Sequence, residues 1–76
     1  MNPAEAMART EKELERARGV HAPFNSAHEG IAVLAEEIDE LWTEVKKRPC
    51  RRDREMLRDE AVQVAAMALR FLVDCC

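Results

Sequence analysis

Ala27, Ile31, Leu34, Ile38, Leu41 and Val45 recur in alternating steps of four and three. Residues at those steps share one stripe of an α-helix, whereas on a strand they would scatter over both faces. Ser26, followed three residues later by Glu29, has the spacing of a capping box and opens this helix. Pro49 stops it a little beyond Lys47, because a proline ring lacks the N–H that an inner turn requires. A second apolar pattern runs from Arg54 to Val73 with Asp53 placed as its N-cap. So few residues separate the two runs that they must fold back on each other as an antiparallel helical hairpin.

The rest of the chain adds one weaker helix. Asn2-Pro3 offers an N-cap and a proline at the first helical position, and Gly19 is the expected end. From Pro3 to Arg18 the only apolar side chains besides a few alanines are Met7 and Leu14, among four acids and four bases. Such a segment is marginal alone; it is read either as a frayed arm or as an element that docks on a neighbouring subunit. The expected single domain, residues 1–76, therefore has a helix over 1–18, a loop to Asn25 punctuated by Pro23, and motif helices over 26–47 and 53–75. With two glycines and no sustained period-2 alternation, the class is all-α.

A chain of 76 residues is short of core; domains of this size bury only about 60% of their unfolded surface. The third helix carries two apolar faces, Leu57, Ala61, Val64, Ala68, Phe71 and Leu72 on one and Val62, Ala66, Leu69 and Val73 on the other. A helix apolar over most of its circumference is covered on more than one side, which points to a helical bundle assembled from several copies, with the second face against a partner subunit. Three cysteines, two of them terminal, make no paired framework. No apolar run at the N-terminus reads as a secretory signal and none is long enough for a membrane span, so a cytoplasmic protein with no membrane partner is expected. A net charge of −3 gives no general case for nucleic acid.

The charge that does stand out is local. Six acidic residues and no Lys or Arg lie between Glu29 and Glu44, a crowding that calls for a cation. Counting out from the hairpin ends at about 1.5 Å per residue, Glu40 faces the level of Glu60 and Glu37 the level of Gln63. Three carboxylates and one amide thus meet at mid-height.

With Glu36-Glu37-Ile38-Asp39-Glu40-Leu41 on one helix and Glu60-Ala61-Val62-Gln63 on the next, the chain resembles the MazG-like nucleoside triphosphate pyrophosphohydrolases over roughly residues 24–74. These all-α enzymes carry a Glu-x-x-Glu motif and a Glu-x-x-Asp motif on successive helices. The resemblance implies Mg²⁺-dependent hydrolysis of a nucleoside triphosphate to the monophosphate and pyrophosphate, with Mn²⁺ as a possible substitute, by a homodimer or homotetramer. It makes Glu37, Glu40, Glu60 and Gln63 the metal ligands, and Glu37 or the spare carboxylate Glu36 the base. Gln63 stands where the family has Asp and can offer a hard cation oxygen but no charge.

Substrate contacts are expected from two places. Phe24 and Asn25, in the loop before the metal helix, are placed to stack on a base and read its edge, although Phe24 equally suits a hydrophobic staple. Lys46 and Arg51 belong to the basic run at the hairpin turn, which reaches a triphosphate only across subunits and otherwise is a solvated helix end. Trp42, near the middle of the apolar stripe, is expected in the core. Two other functions fit the same pattern: a catalytically inactive relative that binds nucleotide or drives oligomerisation, and a helical adaptor whose second apolar face docks an unrelated helix.

Overall fold

The computed structural model describes residues 1–76, which form three α-helices and one 3₁₀ turn: α1 (Pro3–Val20), α2 (Ala27–Val45), the turn Pro49–Arg51, and α3 (Arg54–Cys75). Each helix starts where a side chain satisfies the free N–H groups of its first turn. Asn2 Oδ1 accepts from the Glu5 N–H at 2.9 Å, Ser26 Oγ from Glu29 at 3.1 Å, and Asp53 Oδ1 from Glu55 and Met56 at 2.9 and 3.2 Å. At Ser26 the box is half formed: Glu29 turns back to the side chain of Asn25, 2.9 Å away, instead of to the cap's own N–H.

Two helix ends depart from expectation. Gly19 does not end α1, which continues through it to Val20 with ordinary helical backbone and open space where a Cβ would be. α2 stops at Val45, so the lysines beyond it do not occupy its last turn. Its free carbonyl end is met by Arg52 instead, whose Nε and Nη2 donate to Val45 O at 3.0 and 2.7 Å. A cation therefore still faces the negative end of the helix dipole, but it comes from across the turn.

α3 is the middle element. It packs against α2 on one side and α1 on the other, while α1 and α2 make no helix-to-helix contact of their own. The three lie as a layer of about 40 × 26 × 19 Å. This arrangement answers part of the question of the two-faced third helix. α1 docks on its own chain, burying Ala17 against Ala66, and is neither a frayed arm nor an arm lent to a neighbour. Val62 and Ala66 are covered in this way, and only Leu69 and Val73 of that face stay open, at 38% and 51% exposure.

The core is small: Ala17, Phe24, Ala66 and Met67, with Val33, Leu34 and Cys75 packed against it. Trp42 is not in it. The indole is 56% exposed, together with Ile31 and Ile38. One residue is about 100° of helix rotation, and α3 covers the Leu34–Leu41 side of the stripe only, leaving its other edge wet. Gly30 of α2 lies tight against α3, since a Cβ there would lie 2.7 Å from Phe71 Cδ2 and 3.3 Å from Phe24 Cδ2. Gly30→Ala gains up to about 1 kcal/mol of helix propensity but overpacks this contact at a cost of about 1–3 kcal/mol. We expect a net loss of stability, read as a lower midpoint in urea with unchanged slope; a higher midpoint would show that Phe71 swings aside freely.

The loop between α1 and α2 is clamped by α3. Arg70, 6% exposed, lies 4.0 Å over the centroid of the Phe24 ring. Its Nη2 donates to Ala22 O at 2.7 Å, and its Nε pairs with Asp74 at 3.5 Å. Asp74 Oδ2 in turn accepts from the Phe24 N–H at 3.0 Å. At the opposite end Glu44 is buried, with Oε1 accepting from the Asp53 N–H at 2.9 Å and Oε2 from Lys47 Nζ at 2.7 Å. These two bonds, Lys47's first, hold the Glu44 carboxyl below the usual range. It fastens the cap of α3 to the last turn of α2.

Candidate metal centre

The clamps at Arg70 and Glu44 fix the register of the hairpin from both ends. Between them, Glu37 and Glu40, one turn apart on α2, face Glu60 on α3. The three carboxylates bring oxygen atoms within 4.8 Å of one another. None of the three takes part in an ion pair. Glu37 Oε2 and Glu60 Oε2 are shielded from solvent and have no hydrogen-bond partner, although buried carboxylate oxygens are costly to leave unmatched.

The electrostatics follow from that geometry. Burial, followed by the charge of Glu40 and a hydrogen bond to it, pushes the Glu37 carboxyl up to about 7, with smaller contributions from Glu60 and Glu36. Burial and then Glu40 also raise Glu60. Carboxylates this close cannot all ionise without a counter-charge. Protons can supply it, or a cation with a taste for oxygen ligands.

Beside the cluster, on the same face of the layer, lies a cleft of about 420 Å³ between α1 and α2, within the size range of small-molecule sites. Arg16 and His21 line it on the α1 side, Val33 and Glu37 on α2, and Gln63 and Met67 on the α3 floor. Gln63 thus stands next to Glu37, but its amide also engages Glu13 of α1. That contact ranks below the Arg16 hydrogen bond and burial among the influences on Glu13, whose carboxyl is held low on balance. Arg16 Nε donates to Glu13 at 2.9 Å. The α1 contribution to this cleft was absent from the sequence reading, because nothing in a weakly amphipathic helix says which side will meet α3.

Of the other expected site residues, Phe24 also lines the cleft, whereas Glu36, Asn25, Lys46 and Arg51 do not. Glu36 is exposed and outside the cluster, adding only its charge to Glu37's surroundings. It points away from α3, as the 100° step from Glu37 requires. Phe24 is 7% exposed and covered by Arg70, so its ring already has a stacking partner and belongs to the core. The Asn25 amide is engaged with Glu29. Lys46 and Arg51 are exposed at the hairpin turn, beyond Glu44 and away from the three carboxylates. The guanidinium groups that line the cleft are those of Arg16 and Arg70, and Arg70 is tied to Ala22 and Asp74.

No helix is long and apolar enough to cross a membrane. No family model, curated protein or solved structure matches the chain.

Proposed function

We propose that the chain is a Mg²⁺-dependent nucleoside triphosphate pyrophosphohydrolase, releasing the monophosphate and pyrophosphate. The observation that carries this reading is the convergence of Glu37, Glu40 and Glu60 with two shielded, unpartnered oxygens and no basic residue paired to them. A merely solvated acidic face would spread its carboxylates into water. Glu37, Glu40 and Glu60 are the residues that would hold the ion, with Gln63 offering its amide to the ion or to one of its waters; all are hard oxygen donors, which suits Mg²⁺ or Mn²⁺. An ion held there would supply positive charge to offset the charge developing at the reacting phosphorus.

The chain's own residues supply the rest. Arg16, at the rim of the cleft, presents a guanidinium to the polyphosphate, and Val33 and Met67 give the nucleoside an apolar wall. A carboxylate of the cluster would take the proton from the attacking water. Assembly as a homodimer or homotetramer and a cytoplasmic location belong to the same reading. The neutral Gln63 favours one second reading, a relative that binds nucleotide without turning it over.

Pyrophosphate release across a panel of nucleoside triphosphates, with Mg²⁺ or Mn²⁺ and with chelator, separates the possibilities. Metal-dependent release supports the enzyme, nucleotide binding without release supports the inactive relative, and neither would leave the adaptor. Gln63→Asp sharpens the test. It adds a charge beside Glu37 and Glu13, so the metal-free protein should lose stability while Mn²⁺ affinity, read by calorimetry, rises about tenfold or more, since charge count tunes binding of hard cations. Unchanged affinity would place Gln63 outside the coordination shell, as a partner of Glu13 alone.

A further inference from the structure

Six of the twelve Lys and Arg fall within residues 46–54, where Asp53 is the only acid. That segment carries +5 and the remainder −8, in a chain of net charge −3. The positive charge is thus gathered on the turn between α2 and α3, at one end of the hairpin. Net charge gives no case for a polyanionic partner, but a local concentration of this kind does.

Folding accounts for only some of these cations. Arg52 donates to Val45 O and Lys47 pairs with buried Glu44, while Lys46 caps the negative end of α2. Arg48, Arg51 and Arg54 are exposed and take part in no ion pair. Arg54 is moreover the first residue of α3, where the helix dipole disfavours a cation. An aromatic stands beside them. Trp42 is 56% exposed, and the Lys46 N–H donates to its carbonyl at 2.9 Å, so Lys46 follows one turn later, about 40° round α2.

These side chains share a face. Trp42 lies about 180° round α2 from Val33, and Arg54 about 180° round α3 from Gln63. Val33 and Gln63 line the cleft, so Trp42 and Arg54 lie on the opposite side of the layer, clear of the acidic cluster. A bare π-face flanked by unpaired cations matches an unstacked base and its neighbouring phosphates. A lipid surface pressed on Trp42 would instead bring Asp39, one turn before it, onto anionic headgroups; a narrow strand leaves that carboxylate to one side.

We propose that the hairpin turn binds single-stranded nucleic acid, with Lys46, Arg48, Arg51 and Arg54 on its phosphates and the Trp42 indole stacked on a base. RNA and DNA offer both groups alike, and neither contact reads sequence. The site shares no residue with the metal cluster or the cleft, so it stands or falls apart from the proposed hydrolysis.

The test is fluorescence anisotropy of a labelled oligothymidylate of about 12 nucleotides with the full chain, in chelator. Binding is expected in the micromolar range at about 50 mM salt, and log Kd should rise with log salt at a slope of about 3, as four phosphate contacts on a single strand require. Emission of Trp42, the single tryptophan, should be quenched as the strand binds. Arg48→Gln combined with Arg51→Gln should weaken binding about tenfold or more and lower the slope to about 1.5. Trp42→Ala should weaken it about tenfold at an unchanged slope, since stacking releases no counterions. Lys12→Gln, on α1, should alter neither quantity. Absence of binding at low salt would overturn the proposal, as would an unchanged slope in the double variant or Trp42 emission indifferent to the strand. Equal competition by polyglutamate or by phosphatidylserine vesicles, at matched charge, would also overturn it, because neither offers a base to stack.

Discussion

Glu37→Gln is expected to lower metal-dependent turnover by about 100-fold or more, since it removes one of at most three carboxylates that can hold the ion. The same change should make the metal-free protein more stable. The Glu37 carboxyl is pushed up to about 7, mainly by burial and then by Glu40, so the folded state holds a proton that the unfolded chain releases near 4.5. Between those values the folded protein binds more protons than the unfolded one, and its stability therefore falls as pH rises. The stability is fully present below the unfolded value and is lost by the time the pH has passed about 7. Allowing for partial solvent screening, the loss is about 1–2 kcal/mol.

Thermal unfolding in chelator at about pH 5 and about pH 8 reads this directly. The unmodified protein should melt lower at the higher pH, and Glu37→Gln should remove most of that difference. Saturating Mg²⁺ should raise the midpoint at the higher pH, where the carboxylates are ionised and can bind it. A pH difference that persists unchanged in Glu37→Gln would assign it to other groups. A midpoint indifferent to Mg²⁺ would count against the metal reading itself.

Arg70→Met is expected to have the largest effect on stability. The guanidinium is 6% exposed and ties three things together: the Phe24 ring, the Ala22 carbonyl and the Asp74 carboxylate. Methionine keeps much of the volume but leaves Asp74, whose side chain is itself only 6% exposed, with the Phe24 N–H as its remaining partner. Breaking one side of a buried ion pair costs about 3–5 kcal/mol, and in a domain of this size each kcal/mol is worth about 4–8 °C in Tm. Far-UV circular dichroism at fixed protein concentration should therefore show a drop of more than about 12 °C, or no cooperative melt at all. Arg70→Met combined with Asp74→Leu should recover much of the loss, because the stranded charge goes too. A drop of only a few degrees for Arg70→Met would mean that the loop is held by Phe24 packing alone.

These two residues were not equally legible. The level of Glu37, Glu40 and Glu60 follows from counting, because helical rise is the same in every helix and the hairpin ends are marked by Pro49 and Asp53. Arg70 offers no such signal. In the sequence it is one more charged residue in an apolar helix, and its burial depends on a loop 48 positions away in the chain. Glu44 is similar: it reads as the last acid of a crowded series, yet it is buried because the turn folds the Asp53 N–H back onto it.

What the sequence determined by itself is local and periodic. Asn2, Ser26, Asp53 and Pro49 set where helices begin and one must stop, and the four–three spacing of α2 sets its helical form. These rest on backbone hydrogen bonds and side-chain caps a few residues apart, which every chain with those residues shares. The tertiary structure alone decided which arc of each apolar stripe is covered. A wide stripe is compatible with contact along either edge, and the choice is made by what packs against it. α3 took the Leu34–Leu41 edge of α2 and left Trp42 in water, while α1 took the Val62–Ala66 side of α3 and brought Arg16 to the rim of the cleft. Periodicity fixes the angle between two side chains on one helix; only packing fixes the direction in which that angle points.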